Sequence, residues 1–452
     1  MATYSGGSLS ANGTRTPGVS NTDFHTRRLF DFSDRIAELA PEESPFFVYL
    51  SKVGKVPTSD SQFRFLEDRT KISIADRAFL AQAAFTAAAV GSTASATFDT
   101  TDGASVDWLI PGMVIAAGTV DTGTAQPQWC TLRIESVVDS GAFSTATVRT
   151  IAQAEAASLT VPNNAKCTVI GTAFEEGTGA PDVWSQKLDN DYGYTQIFKT
   201  ACEMSNTARA TVYRGYADEW QRIWNLKLRE HKVDIERAML FGMRGSTNSI
   251  QYTDGIVGHI IANSQAELAD EAQVAYNEDK GYLKTITAAN WSYDSLLSDF
   301  EVIFDPARGG TSNKLALASL PVISHFNKLG GFVNSSIAGA STDATGHMLS
   351  YNFEKSTGSF GHKIMKIETI HGDLSIVKEP LFRGNSAGFL AMVDLDHVSY
   401  RPLVGNGVNR DTSITTNVQQ ADEDLRKDLI ITEAGLEVSL PETHALIHLQ
   451  GV

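Results

Sequence analysis

The stretch that decides the fold runs from Asn206 to Phe241 and reads NTARATVYRGYADEWQRIWNLKLREHKVDIERAMLF. Its large apolar residues recur at spacings of three and four, from Trp220 through Trp224 to Met239. This spacing predicts one amphipathic helix of about 35 residues, roughly 50 Å long. A rod of that length is unusual in a compact enzyme domain, and it suits a backbone onto which neighbouring subunits dock.

Local signals support the predicted rod at its start and its end. Asp218 and Arg222, four residues apart, predict an ion pair on the outer face of the helix. Gly242 and Gly245 directly follow the apolar pattern, as glycines do at a helix C-terminus. We therefore expect a helix that continues without a break up to Phe241.

The amino-acid composition of the chain before the rod changes twice. Residues 1–28 are rich in Gly, Ser, Thr and Asn, so we expect a flexible arm there. Residues 81–170 are dominated by Ala, Thr, Val, Gly and Ser. In several runs every second residue is apolar, as Cys130, Leu132 and Ile134 are. About five short strands separated by turn-forming residues predict a small β-barrel or sandwich inserted into a larger fold.

The chain after the rod alternates between predicted helices and strands. Ser292 is the predicted N-cap of a helix that ends at Asp305-Pro306. The strand predicted at 314–320 leads into a helix that we expect to stop at Gly330-Gly331. Strands are predicted again from about residue 363 to the end of the sequence, which gives an α+β protein overall.

Composition limits the classes of function. The 452 residues carry a net charge of −16, from 37 basic and 53 acidic residues, so the surface as a whole is poorly suited to binding nucleic acid. No apolar run approaches the roughly 20 residues that span a bilayer, so we expect no membrane association. Cys130, Cys167 and Cys202 lack metal or disulfide spacing and are predicted to be buried thiols.

No catalytic or cofactor-binding constellation stands out. Gly384-Asn385-Ser386-Ala387-Gly388 matches the nucleophile elbow of hydrolases, but β-like residues follow it where a helix is required. We interpret this segment as a turn, with a serine hydrolase using Ser386 as a remote alternative. His231 lacks a second histidine at metal-ligand spacing and is predicted to be a packed or interface histidine. We expect an enzyme activity, a cofactor and a metal to be absent.

The order of these parts resembles the Hong Kong 97-type major capsid protein fold of tailed phages and herpesviruses. Several short stretches are similar to the SU-ten-type subgroup of these capsid proteins. They are Ser44-Pro45-Phe46-Phe47, Phe65-Leu66-Glu67-Asp68, Glu175-Glu176-Gly177, Tyr194-Thr195-Gln196-Ile197-Phe198, Glu236-Arg237-Ala238 and the C-terminal LIITEAGLEVSLPETHALIHL.

The resemblance implies an α+β capsid fold with a small all-β insertion in the E-loop region. It divides the chain into a flexible N-arm (1–28), the start of the P-domain with the ascending E-loop (29–80), an inserted small β-domain (81–173), the descending E-loop (174–205), the spine helix of the P-domain (206–245), a P-domain connector (246–290), the A-domain (291–395) and a return to the P-domain sheet (396–452).

The implied function is that of a major capsid protein. Such a chain self-assembles as hexamers and pentamers into an icosahedral head, in the cytoplasm of a bacterial host, and remains in the virion. Its implied partners are copies of itself, separate scaffold, portal and cement proteins, and packaged double-stranded DNA that it contacts weakly and without sequence specificity. The roughly 28 residues before the first predicted helix are too few for a built-in scaffolding domain, so we expect either a separate scaffold protein or a chain that has already been processed.

The expected assembly interface combines basic arm residues with apolar residues of the E-loop and the spine helix. The residues are Arg27, Arg28, Phe46, Phe63, Phe65, Trp184, Ile197, Trp220 and Trp224. We hypothesise that five of them, Phe46, Phe63, Phe65, Trp184 and Ile197, become buried only in the shell. The alternatives are another phage structural protein, from the tail or the capsid decoration, and an encapsulin-like nanocompartment shell.

Overall fold

The structure of the chain is a computed structural model. It describes Phe46, Leu50 and residues 55–68, 78–100, 105–119, 128–153, 159–183, 188–213, 218–266, 281–305, 310–336, 355–357, 363–369 and 371–451. The helices are α1 (Asn206–Ala210), α2 (Glu219–Phe241), α3 (Ile256–Asn263), α4 (Tyr293–Ile303) and α5 (Leu320–Ser336). Phe46 and Leu50 are also helical.

The strands form several separate sheets. They are β1 (Gln62–Glu67), β2 (Ala78–Ala81), β3 (Phe85–Ala87), β4 (Thr93–Asp99), β5 (Met113–Thr119), β6 (Gln128–Asp139), β7 (Ser144–Gln153), β8 (Leu159–Val161), β9 (Lys166–Thr172), β10 (Asp189–Tyr194), β11 (Gln196–Ser205), β12 (Gly245–Thr247), β13 (Ile250–Tyr252), β14 (Ser264–Ala266), β15 (Gly281–Thr287), β16 (Asn313–Ala318), β17 (Lys355–Thr357), β18 (Lys363–Glu368), β19 (Asp373–Lys378), β20 (Phe389–Val393), β21 (Val398–Pro402), β22 (Val404–Gly405), β23 (Val408–Asn409), β24 (Ser413–Thr415), β25 (Leu425–Val438) and β26 (Ala445–Gln450).

A mixed eight-stranded sheet, here called the large sheet, has the order β14-β15-β26-β20-β16-β19-β18-β17. Its strand β16 is apolar and buried from Leu315 to Ala318, as expected for a strand that is covered on both faces. Because side chains alternate along a strand, Leu315 and Leu317 enter a core with α2 and α3. Ala316 and Ala318 enter a second core with α4 and α5. The large sheet is therefore sandwiched between two layers.

The second sheet consists of β11, β25 and β21, with β24 also paired to β25. Phe198, Cys202 and Met204 alternate along β11 and are buried, and α2 packs on this strand. His231 of α2 reaches the sheet with both ring nitrogens. Its Nδ1 is hydrogen-bonded to Oγ1 of Thr200 and its Nε2 to Oγ1 of Thr432, each at 2.9 Å.

A closed barrel of order β2-β4-β7-β6-β5-β9 occupies the stretch in which the sequence predicts a small β-domain. The barrel has a core of its own, because every buried residue of that cluster lies between Phe79 and Cys167. Phe79 and Phe98 pack edge to face inside it, with ring centroids 4.9 Å apart. Strands β3 and β8 pair outside the barrel ladder.

The expectation of one unbroken 35-residue helix is wrong. Helix α1 ends at Ala210, where Thr211 adopts an extended backbone, and α2 begins only at Glu219. Asp218 is the reason for the late start, since its carboxylate accepts the N–H groups of Trp220 and Gln221 as an N-cap. The 23 residues of α2 span about 35 Å.

Asp218 therefore does not form the predicted ion pair with Arg222. The guanidinium of Arg222 instead contacts the carboxylate of Glu219, three residues before it on the same helix. The role of Asp218 as a cap explains the difference, because its side chain is turned to the backbone at the helix start.

Other predicted boundaries also differ. Helix α5 passes through Gly330-Gly331 and ends at Ser336, so these glycines do not stop it. The predicted unit 396–452 does not form one sheet: β21, β24 and β25 belong to the second sheet, whereas β26 pairs with β15 and β20 in the large sheet. The cap predicted at Ser292 is confirmed, since its Oγ accepts the N–H of Ser295 at 3.3 Å.

We expect Gly242→Ala to destabilise the fold. An added Cβ would lie 2.4 Å from the carbonyl oxygen of Ala238 and 2.7 Å from that of Thr253. Overpacking against backbone costs about 1–3 kcal/mol. Gly179→Ala is the control, because Gly179 is exposed and a Cβ there meets nothing within 4 Å. Urea titration of both variants gives the free energy of unfolding, and equal values for the two would contradict the argument.

Candidate assembly surfaces

Strands β1 and β10 form a two-stranded antiparallel ribbon in which Phe63 is paired with Gly193. Such a ribbon is marginally stable by itself and needs support from the rest of the chain. Phe63 supplies it: a Cβ on Gly193 or on Gly435 of β25 would come within 3 Å of its ring. The guanidinium of Arg401 lies 5.6 Å from the same ring centroid. The inner face of the ribbon is thus packed on the second sheet.

Glu67 anchors the far end of the ribbon. It is buried, and its Oε1 accepts the N–H of Leu440 at 2.9 Å. Leu440 has a φ of 50°, a left-handed conformation that is unfavourable for a leucine. The carboxylate therefore fixes both the ribbon and a strained position between β25 and β26.

The outer face of the ribbon exposes apolar groups. Leu66 is 67% and Tyr192 is 39% exposed. Arg244, which follows α2, stacks on the ring of Tyr192 at 4.7 Å from its centroid and donates to its carbonyl oxygen. This contact joins the ribbon to the hairpin that begins at the next residue.

The hairpin of β12 and β13 differs from the core in the direction of its side chains, because on β13 the polar side chain faces the protein and the apolar side chains face outwards. Its turn residues Asn248 and Ser249 both have positive φ, as in the tight two-residue turns of hairpins. The polar Gln251 faces inwards and donates to Oγ of Ser61 at the start of the ribbon. On the opposite face Ile250 is 56% and Tyr252 is 43% exposed, and nearby Met243 is 62% exposed. We call Leu66, Tyr192, Met243, Ile250 and Tyr252 the ribbon–hairpin surface.

Two of the predicted interface residues are already buried inside the subunit. Phe46 is fully buried against α2, where its N–H donates to Oε1 of Glu236 at 2.9 Å. Phe63 is 5% exposed because the ribbon lies on the second sheet. The hypothesis that these two side chains become buried only in a shell is therefore wrong.

The other predicted interface residues lie in different places. Phe65 is half-buried beside Phe63, and Ile197 is 48% exposed on the outer face of β11. Trp220 and Trp224 are half-buried on α2. Arg27, Arg28 and Trp184 lie outside the described residues. The ribbon thus brings Phe63 and Phe65 together, whereas the other described members of the predicted set lie on other elements.

Trp220 lies at an open cleft where α1 and the start of α2 face each other. The cleft has a volume of about 440 Å³, and Met204, Tyr213 and Arg426 also line it. The guanidinium of Arg426 stacks 4.7 Å from the Trp220 ring centroid. Trp220 is therefore held by an intramolecular cation–π contact in addition to lying at the surface.

The residues considered for chemistry serve structural roles. Burial lowers the pKa of His231, whose two threonine partners belong to the second sheet, and this confirms the packed histidine. The Oγ of Ser386 donates to the carbonyl of Arg383 in a single helical turn before β20, which confirms the turn interpretation. Burial also raises the pKa of the Cys130 thiol to about 11. All three cysteines are free and buried, as predicted.

Comparison with known protein families shows to which family the chain belongs. A family model described as SU10 major capsid protein matches residues 12–450. The chain belongs to this family. An SU10-type major capsid protein is a structural protein of the virion, which assembles with copies of itself into a capsid, and it is not an enzyme. The α+β capsid fold and the capsid function expected from the resemblance are confirmed, and the tail, nanocompartment and hydrolase alternatives are not supported.

Solved capsids are remotely similar to this SU10-type protein. The structure from Microbacterium phage Oxtober96 is 12% identical, covering 96% of this chain and 100% of that one, with a TM-score of 0.43. The capsid of a native GTA particle is 10% identical over 93% and 95% of the two chains, with a TM-score of 0.42. The capsid of Myoviridae phage XM1 is 8% identical over 94% and 97%, with a TM-score of 0.41.

The family assignment does not depend on those remote likenesses. Among curated proteins, none matches the chain. In the part of the chain that the structure describes, no helix combines the length and the apolar character needed to cross a bilayer.

We expect Glu67→Ala to loosen the ribbon. The substitution removes the acceptor of the Leu440 N–H, and a buried donor left unpaired costs about 1–3 kcal/mol. Glu67→Gln retains an oxygen at the same position and serves as the matched control. The free energy of unfolding of the two variants checks this, and an alanine variant as stable as the glutamine variant would show that the contact is unimportant.

Proposed function

We propose that this SU10-type capsid protein forms hexamers and pentamers that close into an icosahedral head around packaged double-stranded DNA. The observation that carries the proposal is the ribbon–hairpin surface, which exposes Met243, Ile250 and Tyr252, while the polar Gln251 between the last two donates to Ser61 of the same chain. Exposed apolar groups gathered on one surface are typical of protein–protein contacts, and tyrosine and methionine are enriched there.

Each named part of the capsid fold corresponds, in this proposal, to one sheet or helix of the chain. The ribbon of β1 and β10 is the base of the E-loop, and the barrel is the insertion that it carries. Helix α2 is the spine, and with the second sheet it forms the P-domain. The large sheet with α4 and α5 forms the A-domain, although β14, β15 and β26 enter it from outside residues 291–395.

Contacts of this kind close rings when a patch meets a different patch on the next copy. Such head-to-tail interfaces generate cyclic assemblies if the rotation between copies closes. The ribbon–hairpin surface of one subunit then lies on a neighbour of the same capsomer. Each contact is small, and many contacts per subunit sum by avidity to a stable shell.

The remaining partners are proposed from the same resemblance. Scaffold and portal proteins guide assembly, and a cement protein binds the outside. The DNA inside is contacted weakly and without sequence specificity, because acidic residues outnumber basic ones by 53 to 37. The basic residues Arg27 and Arg28 of the arm provide local exceptions in the sequence.

We expect the double substitution Ile250→Ser with Tyr252→Ser to block assembly without unfolding the subunit. Both side chains are largely exposed, so the free energy of unfolding should change by less than about 0.5 kcal/mol per site. Negative-stain microscopy and sedimentation of the full-length chain should show subunits or capsomers in place of closed shells.

Val90→Ser is the matched control, since Val90 is 63% exposed on a turn of the barrel, far in sequence from the hairpin. This variant should assemble like the unaltered chain. Normal shells from the hairpin variant would refute the role of the surface, while failure of the unaltered chain to assemble with its scaffold would count against the shell function itself.

Deletion of residues 1–28 tests the arm. We expect the shortened chain to remain soluble and folded, because the buried clusters of the described residues begin at Phe46. It should no longer form closed shells if the arm laps over a neighbouring subunit. Particle counts by electron microscopy measure this, and particles of normal size and yield would exclude a role for the arm.

A further inference from the structure

Strand β11 is an outer strand of the second sheet. It pairs with β25 from Gln196 to Ser205, and β25 is its only ladder partner among the described residues. The opposite edge of β11 therefore carries backbone N–H and C=O groups that have no strand partner in the sheet. With ten residues, β11 is longer than the commonest strands of about five to six residues. A long open edge of this kind is a template for the addition of another strand.

The two faces of β11 have different surroundings. Phe198 and Cys202 are buried on the face that α2 covers. Lys199, Ala201 and Glu203 alternate with them along the strand and are exposed on the other face. Helix α2 thus protects one face of β11, and the other face is open to solvent in the isolated subunit.

The exposed charges of β11 are placed symmetrically about Ala201. Lys199 precedes Ala201 by two residues, and Glu203 follows it by two residues. In an antiparallel pair of identical strands centred on Ala201, Lys199 of each copy lies directly opposite Glu203 of the other copy. Unlike charges that lie directly opposite each other stabilise a strand pair, and like charges destabilise it. The exposed face of β11 is therefore complementary to a second copy of itself in this register.

Both charged residues are available to a second copy. Lys199 is exposed, and no carboxylate among the described residues pairs with it. Glu203 has a partner in its own chain, since Nζ of Lys427 lies 3.1 Å from its Oε2, but both of these side chains are more than a third exposed. Such an exposed ion pair contributes little to stability, and a carboxylate can accept from two donors at once. Glu203 can therefore also bind Lys199 of a second copy.

The position of α2 fits a pairing of two β11 strands. His231 of α2 is hydrogen-bonded to Thr200 of β11 and to Thr432 of β25, so the helix lies above the gap between these two strands. Because neighbouring strands lie about 4.8 Å apart, pairing of two β11 edges places the two α2 helices about 10 Å apart near Ala201. Packed helices are separated by about 8–10 Å. The two helices would therefore pack side by side above the joined sheet.

We propose that β11 pairs with β11 of a second copy across a two-fold axis at Ala201 and joins the two second sheets into one. In such an isologous contact each copy contributes the same residues, so the contact cannot close a ring of five or six subunits. It therefore links subunits of adjacent capsomers, while the ribbon–hairpin surface closes each ring. This inference rests on the proposed shell and adds the contact that connects one ring to the next.

Oxidative crosslinking of the full-length Ala201→Cys variant tests the register. Two Cα atoms directly opposite each other in an antiparallel pair are about 4.5–5.5 Å apart, which is within the range of a disulfide. We expect covalent dimers on non-reducing gels, and the native thiols do not compete because all three are buried. Ile197→Cys is the control: Ile197 is 48% exposed on the same face. Its symmetry mate lies about 27 Å away in this register, so no covalent dimer should form.

Charge reversal tests the same contact during assembly. Lys199→Glu places like charges opposite each other twice in every two-fold contact and should weaken association about tenfold. Negative-stain microscopy should then show separate rings where the unaltered chain forms shells. Adding Glu203→Lys to this variant restores unlike charges across the axis and should restore closed shells. Lys166→Glu, on an exposed position of the barrel strand β9, is the matched control and should assemble normally.

The possible outcomes separate the two-fold contact from the shell function. Rings without shells from Lys199→Glu, with rescue by the double variant, support the contact. Normal shells from Lys199→Glu, or equal crosslinking of the Ala201→Cys and Ile197→Cys variants, would overturn it. Absence of rings from the unaltered chain counts against the proposed shell instead, and the crosslinking of Ala201→Cys in solution then still decides whether the two-fold contact exists.

Discussion

The burial of one face of α2 against both sheets is the constraint on which the rest of the subunit depends. Ile235 and Met239 share a single core with Phe198 of the second sheet and Leu317 of the large sheet. Each such side chain contributes about 1.5–3 kcal/mol when it is fully buried. Since α2 leads through Gly242 directly into the hairpin, its position also determines where the exposed apolar residues of the hairpin are presented.

Patterns that depend on neighbours in sequence could be predicted. The alternation of Cys130, Leu132 and Ile134 correctly indicates a strand whose inner side chains fill a small core. Ser292 and the apolar stripe after it predict α4 with its cap. The order of such elements also carried the resemblance to capsid proteins, which the family model confirms over residues 12–450.

Features that depend on partners distant in sequence could not be predicted. Phe63 is buried because Gly193 and Gly435 leave room for its ring, and nothing near Phe63 in sequence indicates either glycine. Asp218 is by residue type a preferred N-cap, but its spacing of four residues to Arg222 also fits an ion pair inside a helix, so the sequence pattern predicts a start for α2 that is too early. Ile250 and Tyr252 alternate with polar residues like an ordinary strand, and the alternation does not tell which side faces the protein.

The closed ladder of the barrel has a consequence for a protein that works at very high local concentration. An open sheet would present unpaired N–H and C=O groups along its outer strands, which invite strand addition from an identical molecule. In the barrel β2 pairs with both β4 and β9, so the ladder returns to its start and has no outer strand. Crowded copies of this closed ladder therefore offer one another no unpaired strand edge, and fibre growth by strand addition to the barrel ladder is suppressed.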